Sequence, residues 1–214
     1  MPTKEMRTSL LRIVFAFAAI IVLAASQINL TLLRGRAQPA LTSSESDPQP
    51  SQNRSALPAP LLKPHIVVKK NRRELLLYSS DNLLRTYHVG LGLNPSGDKV
   101  RAGDRRTPEG DFYVFVKNDK SAFYLSLGLS YPNLPHAERG LREGLINRSQ
   151  YEAIIRALKA RKTPPQNTRL GGDIYIHGNG AQSDWTWGCV ALEDEDIREL
   201  FAAVTVGTPV TIQP

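Results

Sequence analysis

The sequence predicts a mainly β domain with two helices, an α+β fold, in residues 65–214. Three observations support this fold class. Short apolar segments recur between turn residues, two segments repeat apolar residues at helical spacing, and no βαβ alternation of the doubly wound kind is visible. A chain of 214 residues suits one domain of ordinary size with additional segments.

The strands are predicted from short runs rich in β-branched, aromatic and aliphatic residues. Turn signals at Lys70–Arg72 and Ser80–Asn82 separate the first three runs, so two successive hairpins should open the domain. The predicted strands are Ile66–Val68, Glu74–Tyr78, Leu84–Val89, Phe112–Val116, Ser121–Leu129, Ile174–Ile176 and Val210–Ile212.

Two helices are predicted from capping and periodicity. Ser149 and Glu152 have the spacing of a capping box, and acidic residues at Glu193–Asp196 suit the positive end of a helix dipole. An apolar face at i, i+3, i+4 and i+7 follows each start. These faces are Tyr151, Ile154, Ile155 and Leu158 in the first helix, and Ile197, Leu200, Phe201 and Val204 in the second.

The N-terminal part divides into two predicted segments. Residues 1–34 read as a signal peptide or a membrane anchor, because a basic start precedes 21 uncharged residues at 13–33. Uncleaved, residues 13–33 would anchor the protein in the inner membrane with the domain on the periplasmic face. Residues 35–64 are rich in Pro, Ser and Gln, so we expect a disordered linker.

The charge distribution argues against nucleic-acid binding. Residues 1–64 carry seven basic and three acidic side chains, so more than half of the net charge of +7 lies outside the predicted domain. The domain also lacks a basic stripe with interleaved aromatic residues. One cysteine and four scattered histidines, with no HExxH motif, predict neither a metal site nor a disulfide.

His177 and Cys189 are the candidate catalytic residues. An apolar strand ends at His177, and Cys189 follows twelve residues later, directly after Gly188. A free thiol in an exported chain requires a reason, and nucleophilic catalysis is the chemical one. An imidazole within hydrogen-bond reach would act as the base, and a glycine beside the nucleophile lets the backbone approach a substrate carbonyl.

The order of these motifs resembles the YkuD-type L,D-transpeptidase catalytic domain of bacterial cell-wall enzymes. The matching motifs are His177-Gly178, Thr186–Cys189, the helix at Glu193–Val204, Gly207–Val210, Val89–Gly92 and Arg106–Phe112. Tyr124–Asn133 and Asp184–Cys189 resemble the YafK-like branch in particular. The resemblance covers residues 65–214 and implies an L,D-transpeptidase β-sandwich.

The resemblance implies a role for each residue that matches the motif. Cys189 would be the nucleophile and His177 its general base, oriented by the carbonyl of Gly178, while the N–H groups of Gly188 and Cys189 would form the oxyanion hole. The implied reaction cross-links or remodels peptidoglycan stem peptides in the cell envelope through a thioester, with no metal or organic cofactor.

Three positions depart from the family pattern. Trp187, Ala191 and Asp194 stand where many members have His, Arg and Asn. These changes bear on stem-peptide binding and on the choice of acyl acceptor, so two alternatives stay open. One is an amidase or endopeptidase that uses the same residues, for example to release a wall-linked protein, and the other is an inactive membrane-tethered wall-binding module.

Other aromatic and histidine residues have weaker predicted roles. Trp185, Trp187 and Tyr131 are candidates for substrate binding or for the groove wall. His136 is expected to be a solvated histidine in a loop at Pro135–Arg139.

Overall fold

A computed structural model describes residues 55–214. This part contains eight strands and three helices. The strands are β1 Pro64–Lys69, β2 Glu74–Ser79, β3 Asn82–His88, β4 Gly110–Ser121, β5 Tyr124–Leu129, β6 Tyr175–His177, β7 Val190–Ala191 and β8 Pro209–Gln213. The helices are α1 Leu134–Arg142, α2 Arg148–Lys159 and α3 Asp194–Ala203. The predicted α+β class is confirmed, with one helix more than expected.

The strands form a mixed sheet in the order β3-β2-β1-β8-β4-β5-β6-β7. As predicted, β1, β2 and β3 are antiparallel, while β1 and β8 run parallel. The long strand β4 is shared by two parts of the sheet. Its residues 110–113 pair with β8, and its later residues pair with β5 after a register shift between Val114 and Val116. This sharing folds the sheet into a sandwich-like arrangement.

The chain that follows β3 returns to the far end of the sheet. Gly90 forms an antiparallel bridge with Ala191, and Gly92 forms a parallel bridge with Thr186. A Cβ on Gly90 would lie 2.3 Å from the Ser183 carbonyl oxygen, so only glycine permits this approach. Residues from the two ends of the strand order therefore meet beside β7.

The main core lies between the two parts of the sheet and α3. Strands β1, β2, β4, β5, β6 and β8 contribute inward-facing aliphatic residues, and Ile197 and Leu200 contribute the apolar face predicted for α3. A second, smaller cluster joins α1 to α2 around Ile154 and Leu170. Burial of these side chains supplies the main favourable free energy of folding.

The extra helix, α1, begins where a loop was expected. Asn133 is its N-cap, and the Asn133 side chain accepts a hydrogen bond from the His136 N–H. Pro135 lies in the first helical turn, where its missing N–H costs nothing. Pro135 and Gly140 favour a loop when the sequence is considered alone, but the Asn133 cap and the packing of Gly140 against Leu170 stabilise a helix.

The start of α2 also differs from the prediction. Asn147 and Gln150, and not Ser149 and Glu152, form the capping box. Both pairs have the required spacing, and the helix begins two residues earlier than expected because Asn147 is as good an N-cap as serine.

His136 is buried in α1, so the expectation of a solvated loop histidine is wrong. Its side chain is 2% exposed. The imidazole Nδ1 contacts Asn133 Oδ1, and Nε2 lies 2.9 Å from Asp98 Oδ1. Arg139 donates to the other Asp98 oxygen at 2.7 Å. This cluster ties α1 to the loop that precedes β4.

The final residues of the predicted linker belong to the folded domain. Leu57 and Leu61 pack against the core, and the Leu62 N–H donates to Ser79 Oγ at 2.9 Å. The boundary predicted at residue 65 is therefore too late. The predicted signal or anchor and most of the linker lie outside residues 55–214. Within the described residues, no helix is long and apolar enough to cross a membrane.

Candidate active site

His177 and Cys189 are brought together by two adjacent strands. Strands β6 and β7 are parallel, with His177 opposite Ala191. Cys189 lies two residues before Ala191, so its side chain projects on the same face of the sheet as His177. The thiol and the imidazole therefore share one face, although no hydrogen bond joins them in the part of the chain that the structure describes.

The imidazole of His177 is held in one orientation. Its Nδ1 lies 2.7 Å from the Gly178 carbonyl oxygen, which can only accept, so Nδ1 carries a proton and Nε2 is the free nitrogen. The ring is stacked on Phe123 with 4.6 Å between ring centroids. Burial lowers the pKa of His177, and the hydrogen bond to Gly178 only partly opposes this effect.

The Cys189 thiol is also neutral at rest. Sγ donates toward the Asp173 carbonyl oxygen and accepts from the Tyr175 N–H, each at 3.4 Å. Burial raises the pKa of Cys189 to about 11, with the Asp173 carboxylate adding to the rise while the Tyr175 N–H and Lys99 oppose it. The site therefore holds a thiol beside a neutral imidazole, and a base must remove the proton.

Two acidic residues at the start of α3 bind a neighbouring loop. Asp194 accepts from the Asn179 N–H at 2.7 Å, and Glu193 accepts from the Ala181 N–H at 2.8 Å. These two carboxylates therefore hold the loop that follows His177. Asp173 is the carboxylate that raises the pKa of Cys189.

The turn that precedes Cys189 is closed by Thr186. Its hydroxyl donates to the Cys189 carbonyl oxygen at 2.8 Å and accepts from the Gly188 N–H at 3.1 Å. The predicted pair of oxyanion donors therefore differs from the structure, because the Gly188 N–H is already used. Within residues 55–214, the Cys189 N–H has no acceptor, and it is the backbone donor that remains available beside the thiol.

Gly188 is required where two loops meet. Its φ is +128°, and a Cβ there would lie 2.7 Å from the Arg106 carbonyl oxygen. On the same side, the Thr107 hydroxyl lies 3.4 Å from the Cys189 carbonyl oxygen and accepts from the Gly92 N–H at 3.0 Å. The loop before β4 thus packs against the backbone of Gly188 and Cys189.

A charged pair holds the loop between β6 and β7. Arg73 donates to both carboxylate oxygens of Asp184, at 3.0 Å from Nε and 2.6 Å from Nη2. The Leu91 N–H donates to the same carboxylate at 2.9 Å. Asp184 therefore fixes the segment that leads to Cys189 onto the β2–β3 part of the sheet.

The two tryptophans border the site differently. The Trp185 ring lies edge-on to the His177 imidazole at 5.5 Å, and its indole N–H donates to the Gly180 carbonyl oxygen at 3.0 Å. Trp187 is 69% exposed, with the Arg105 guanidinium 4.9 Å from its ring centroid. Trp187 therefore offers an open aromatic surface two residues from Cys189.

Tyr131 does not line a groove, so its predicted role is wrong. Its side chain is completely buried, and its hydroxyl donates to the Leu170 carbonyl oxygen at 2.9 Å. It follows β5 directly and packs against Phe112 and His136 in the interior.

The positions that depart from the family pattern have distinct surroundings. Ala191 is buried between His177 on one side and Gly90 on the other. Asp194 lies so close to the chain after His177 that a Cβ on Gly178 would be 2.5 Å from its carboxylate.

Phe123 and Arg73 carried no functional signal in the sequence, and only the fold brings them near the site. Thr107, Asp184 and Thr186 lie inside motifs that the sequence analysis used, but their contacts were not predicted. A hydroxyl three residues before Cys189 could have suggested a turn contact. In residues 55–214, no group of three or more His, Cys, Asp and Glu side chains could hold a metal ion.

The fold and the site define a β domain with a cysteine and a histidine on neighbouring strands. The family model for the L,D-transpeptidase catalytic domain, YkuD, matches residues 63–212. The chain therefore belongs to the YkuD L,D-transpeptidase family. The predicted family and the predicted L,D-transpeptidase fold are confirmed.

Solved structures with a similar fold come from several bacteria. An L,D-transpeptidase from Mycobacterium smegmatis has a TM-score of 0.43 at 12% identity, over 71% of this chain and 59% of that one. Bd1075 from Bdellovibrio bacteriovorus has a TM-score of 0.46 at 21% identity, over 72% of this chain and 48% of that one. The helical cell shape determining protein Pgp2 from Campylobacter jejuni has a TM-score of 0.45 at 20% identity, over 70% of this chain and 47% of that one.

The match thus spans about half to six tenths of the length of these three proteins. A comparison with curated protein sequences yields no significant match.

Proposed function

We propose that the protein is a cysteine-dependent L,D-transpeptidase that acts on peptidoglycan stem peptides through a thioester acyl-enzyme. One observation carries this proposal. His177 ends β6, Cys189 directly precedes the paired strand β7, and Nδ1 of His177 lies 2.7 Å from the Gly178 carbonyl oxygen, which leaves Nε2 for the proposed role of base. Membership of the YkuD family supports the substrate class and an envelope location.

Acylation would start from the neutral thiol. As Sγ of Cys189 attacks the carbonyl carbon of the third stem residue, Nε2 of His177 takes the thiol proton. The Cys189 N–H is the available backbone donor for the resulting oxyanion. When the tetrahedral intermediate collapses, the imidazolium gives its proton to the departing amine of D-alanine, and a thioester remains.

Deacylation would use the same residues in reverse roles. An acceptor amine attacks the thioester while Nε2 takes its proton, and the proton then returns to the departing Sγ. A second stem peptide as acceptor gives a cross-link, a wall-linked protein gives an attachment, and water gives hydrolysis. The chemistry at Cys189 is the same in each case.

We assign Trp187 and Trp185 to substrate binding. The open ring of Trp187 could stack on the peptide or sugar of a stem unit, and Arg105 above it adds a positive charge that suits the carboxylates of such peptides. Trp185 would act closer to the reaction, since it covers one edge of the His177 ring.

Covalent labelling tests the nucleophile. The full-length protein should gain the mass of one carbapenem on incubation, and the Cys189→Ala variant should gain none. The His177→Gln variant should label far more slowly, because the thiol then has no base. A wild-type protein that forms no adduct would refute an active transpeptidase site and would favour the inactive wall-binding module.

Incubation with sacculi, followed by muropeptide analysis, tests the acceptor. We expect new 3–3 cross-links with the wild-type protein and none with the Cys189→Ala variant. Release of peptide or protein without new cross-links would instead assign the amidase or endopeptidase activity to the same thiol.

A further inference from the structure

The turn between β4 and β5 places an aromatic ring against His177. The Phe123 ring stacks on the imidazole at 4.6 Å between centroids, with 28° between the ring planes. Phe123 is nevertheless 41% exposed, so core packing does not explain its position. Tyr124, the next residue, is 43% exposed and makes no aromatic contact with His177 within residues 55–214.

Backbone hydrogen bonds fix this ring relative to His177. Ser126 in β5 is paired with His177 in β6, so the turn must project beside the end of β6. The Gly178 N–H then lies 3.1 Å from the Phe123 carbonyl oxygen and 3.2 Å from that of Leu125. The Gly178 carbonyl contacts Nδ1 of His177, so Phe123 contacts the imidazole through its ring and, through its backbone carbonyl, the residue that orients the imidazole.

Trp185 completes an enclosure around the imidazole. Its ring contacts His177 edge-on and lies 5.8 Å from the Phe123 ring. With Phe123 on one face, Trp185 at the edge and Nδ1 bonded to Gly178, the imidazole is only 2% exposed. Nε2 is the nitrogen left for chemistry.

We propose that Phe123 is a positioning residue of the active site, which sets the plane of the His177 imidazole toward Cys189 and keeps water from its face. The inference deepens the proposed function and rests on it. A flat ring at stacking distance limits rotation of the imidazole, and it also removes solvent that would stabilise the imidazolium form. His177 therefore stays neutral, and keeps its orientation toward Cys189, at a lower pH than a solvated histidine would.

The ionisable groups near His177 are not among the causes of its lowered pKa. Cys189 precedes β7 and is neutral at rest, and Asp194 at the start of α3 is bonded to the Asn179 N–H. Desolvation by burial is the largest cause of the lowered pKa of His177, and the opposing contribution is the hydrogen bond to Gly178. Removal of the Phe123 ring should therefore move the titration of His177 upward.

The test compares Phe123→Ala with Tyr124→Ala in the full-length protein. The two side chains are adjacent and similarly exposed, and the ring contacts with His177 and Trp185 belong to Phe123. Carbapenem labelling of Cys189 is followed across the acidic pH range. In Phe123→Ala we expect the acid limb to move toward the ordinary histidine value of about 6.5. The plateau rate should fall roughly tenfold, a part of the roughly 100- to 10,000-fold that a general base supplies. Tyr124→Ala should match the wild type.

A second measurement does not depend on activity. In the Cys189→Ala background, the imidazole C–H signals of the histidines are titrated by NMR, and His177 is assigned with His177→Gln. The Phe123→Ala change should raise the midpoint of His177 alone among the histidines. The proposal would be overturned if Phe123→Ala changed neither the NMR midpoint of His177 nor the acid limb of the labelling profile. If the wild type forms no carbapenem adduct, the proposed function fails, and this titration still decides the role of Phe123.

A conservative variant separates orientation from shielding. Phe123→Leu keeps apolar bulk over the imidazole but removes the flat ring. We expect a lower plateau rate with a smaller shift of the acid limb than in Phe123→Ala. A Phe123→Leu variant with the wild-type plateau rate would contradict the orienting role, and equal melting temperatures of the variants exclude a loss of folded protein.

Discussion

The pair Arg73–Asp184 should contribute more to stability than an ordinary surface ion pair. Three Arg73-to-Asp184 contacts lie between 2.6 and 3.2 Å, and the two side chains are 30% and 22% exposed. A neighbouring pair, Arg72 with Glu74, has one contact of 3.6 Å and an Arg72 side chain that is 60% exposed. The chain thus provides a matched control one residue away.

The expected magnitudes follow from burial and geometry. Hydrogen bonds to charged groups contribute about 1.5–3 kcal/mol, and exposed ion pairs about 0–1 kcal/mol. Arg73→Met leaves a half-buried carboxylate with the Leu91 N–H as its remaining donor, so we expect a loss of about 2 kcal/mol. For a domain of this size that corresponds to a melting temperature lower by about 4–8 °C. Arg72→Met should lower it by no more than about 3 °C.

Two assays check the effect. Thermal unfolding followed by circular dichroism compares the variants, and carbapenem labelling well below the melting temperature reports on the site. Labelling of Arg73→Met should slow by up to about 100-fold, because small displacements of reacting groups are costly and Asp184 holds the segment that leads to Cys189. Arg73 has a φ of +54°, and methionine keeps the same backbone cost. Equal melting temperatures for Arg73→Met and Arg72→Met would refute the reasoning.

Three further predictions concern backbone strain and pH. Gly188→Ala should slow labelling by on the order of 100-fold, because its Cβ would collide with the Arg106 carbonyl oxygen. Gly144→Ala, with a φ of +70° and open space around the Cβ, should keep the wild-type labelling rate and lower stability by only about 1 kcal/mol. As the pH falls through about 6.5, the labelling rate of the wild type should stay at its plateau and decline only at lower pH. The reason is that burial lowers the pKa of His177, so its neutral form persists in mild acid. A decline centred above pH of about 6.5 would contradict the lowered pKa.

For Asp98, burial alone would raise the pKa, but the hydrogen bond and charge of His136, the Glu109 N–H and Arg139 together hold it well below its ordinary range. A lowered carboxyl pKa stabilises the fold above about pH 4 and loses that contribution as the pH falls further. The melting temperature should therefore drop more steeply in acid for the wild type than for Asp98→Asn, and parallel profiles would refute this.

The sequence was sufficient for the elements whose signals are local. The opening hairpins, α3 and the strand that ends at His177 each have a pattern within ten or so residues, and the motif order made Cys189 the candidate nucleophile. Strand β7 has only two residues, Val190 and Ala191, and so carries no pattern of its own. Its existence depends on pairing with β6, which local sequence does not specify.

The remaining differences arise from contacts between distant segments. The stacking of Phe123 on His177 requires the register of β5 with β6, fifty or so positions apart in the chain. Tyr131 reads as a groove residue because aromatic residues often line sites, and only the packing of α1 shows that it is buried.

The neutral state of the site gives a physical reason why the proposed nucleophile can persist in the exported chain that the sequence predicts. Burial raises the pKa of Cys189 to about 11, so the thiol is protonated at neutral pH, and the thiolate is the form that oxidises and mispairs. An ion pair of thiolate and imidazolium would be reactive at all times in the oxidising compartment that the N-terminal segment predicts. A thiol that loses its proton to His177 only during attack is reactive only when a carbonyl group is present. In the proposed mechanism, burial raises the pKa of Cys189 and lowers that of His177, and it would therefore serve both protection and general-base catalysis.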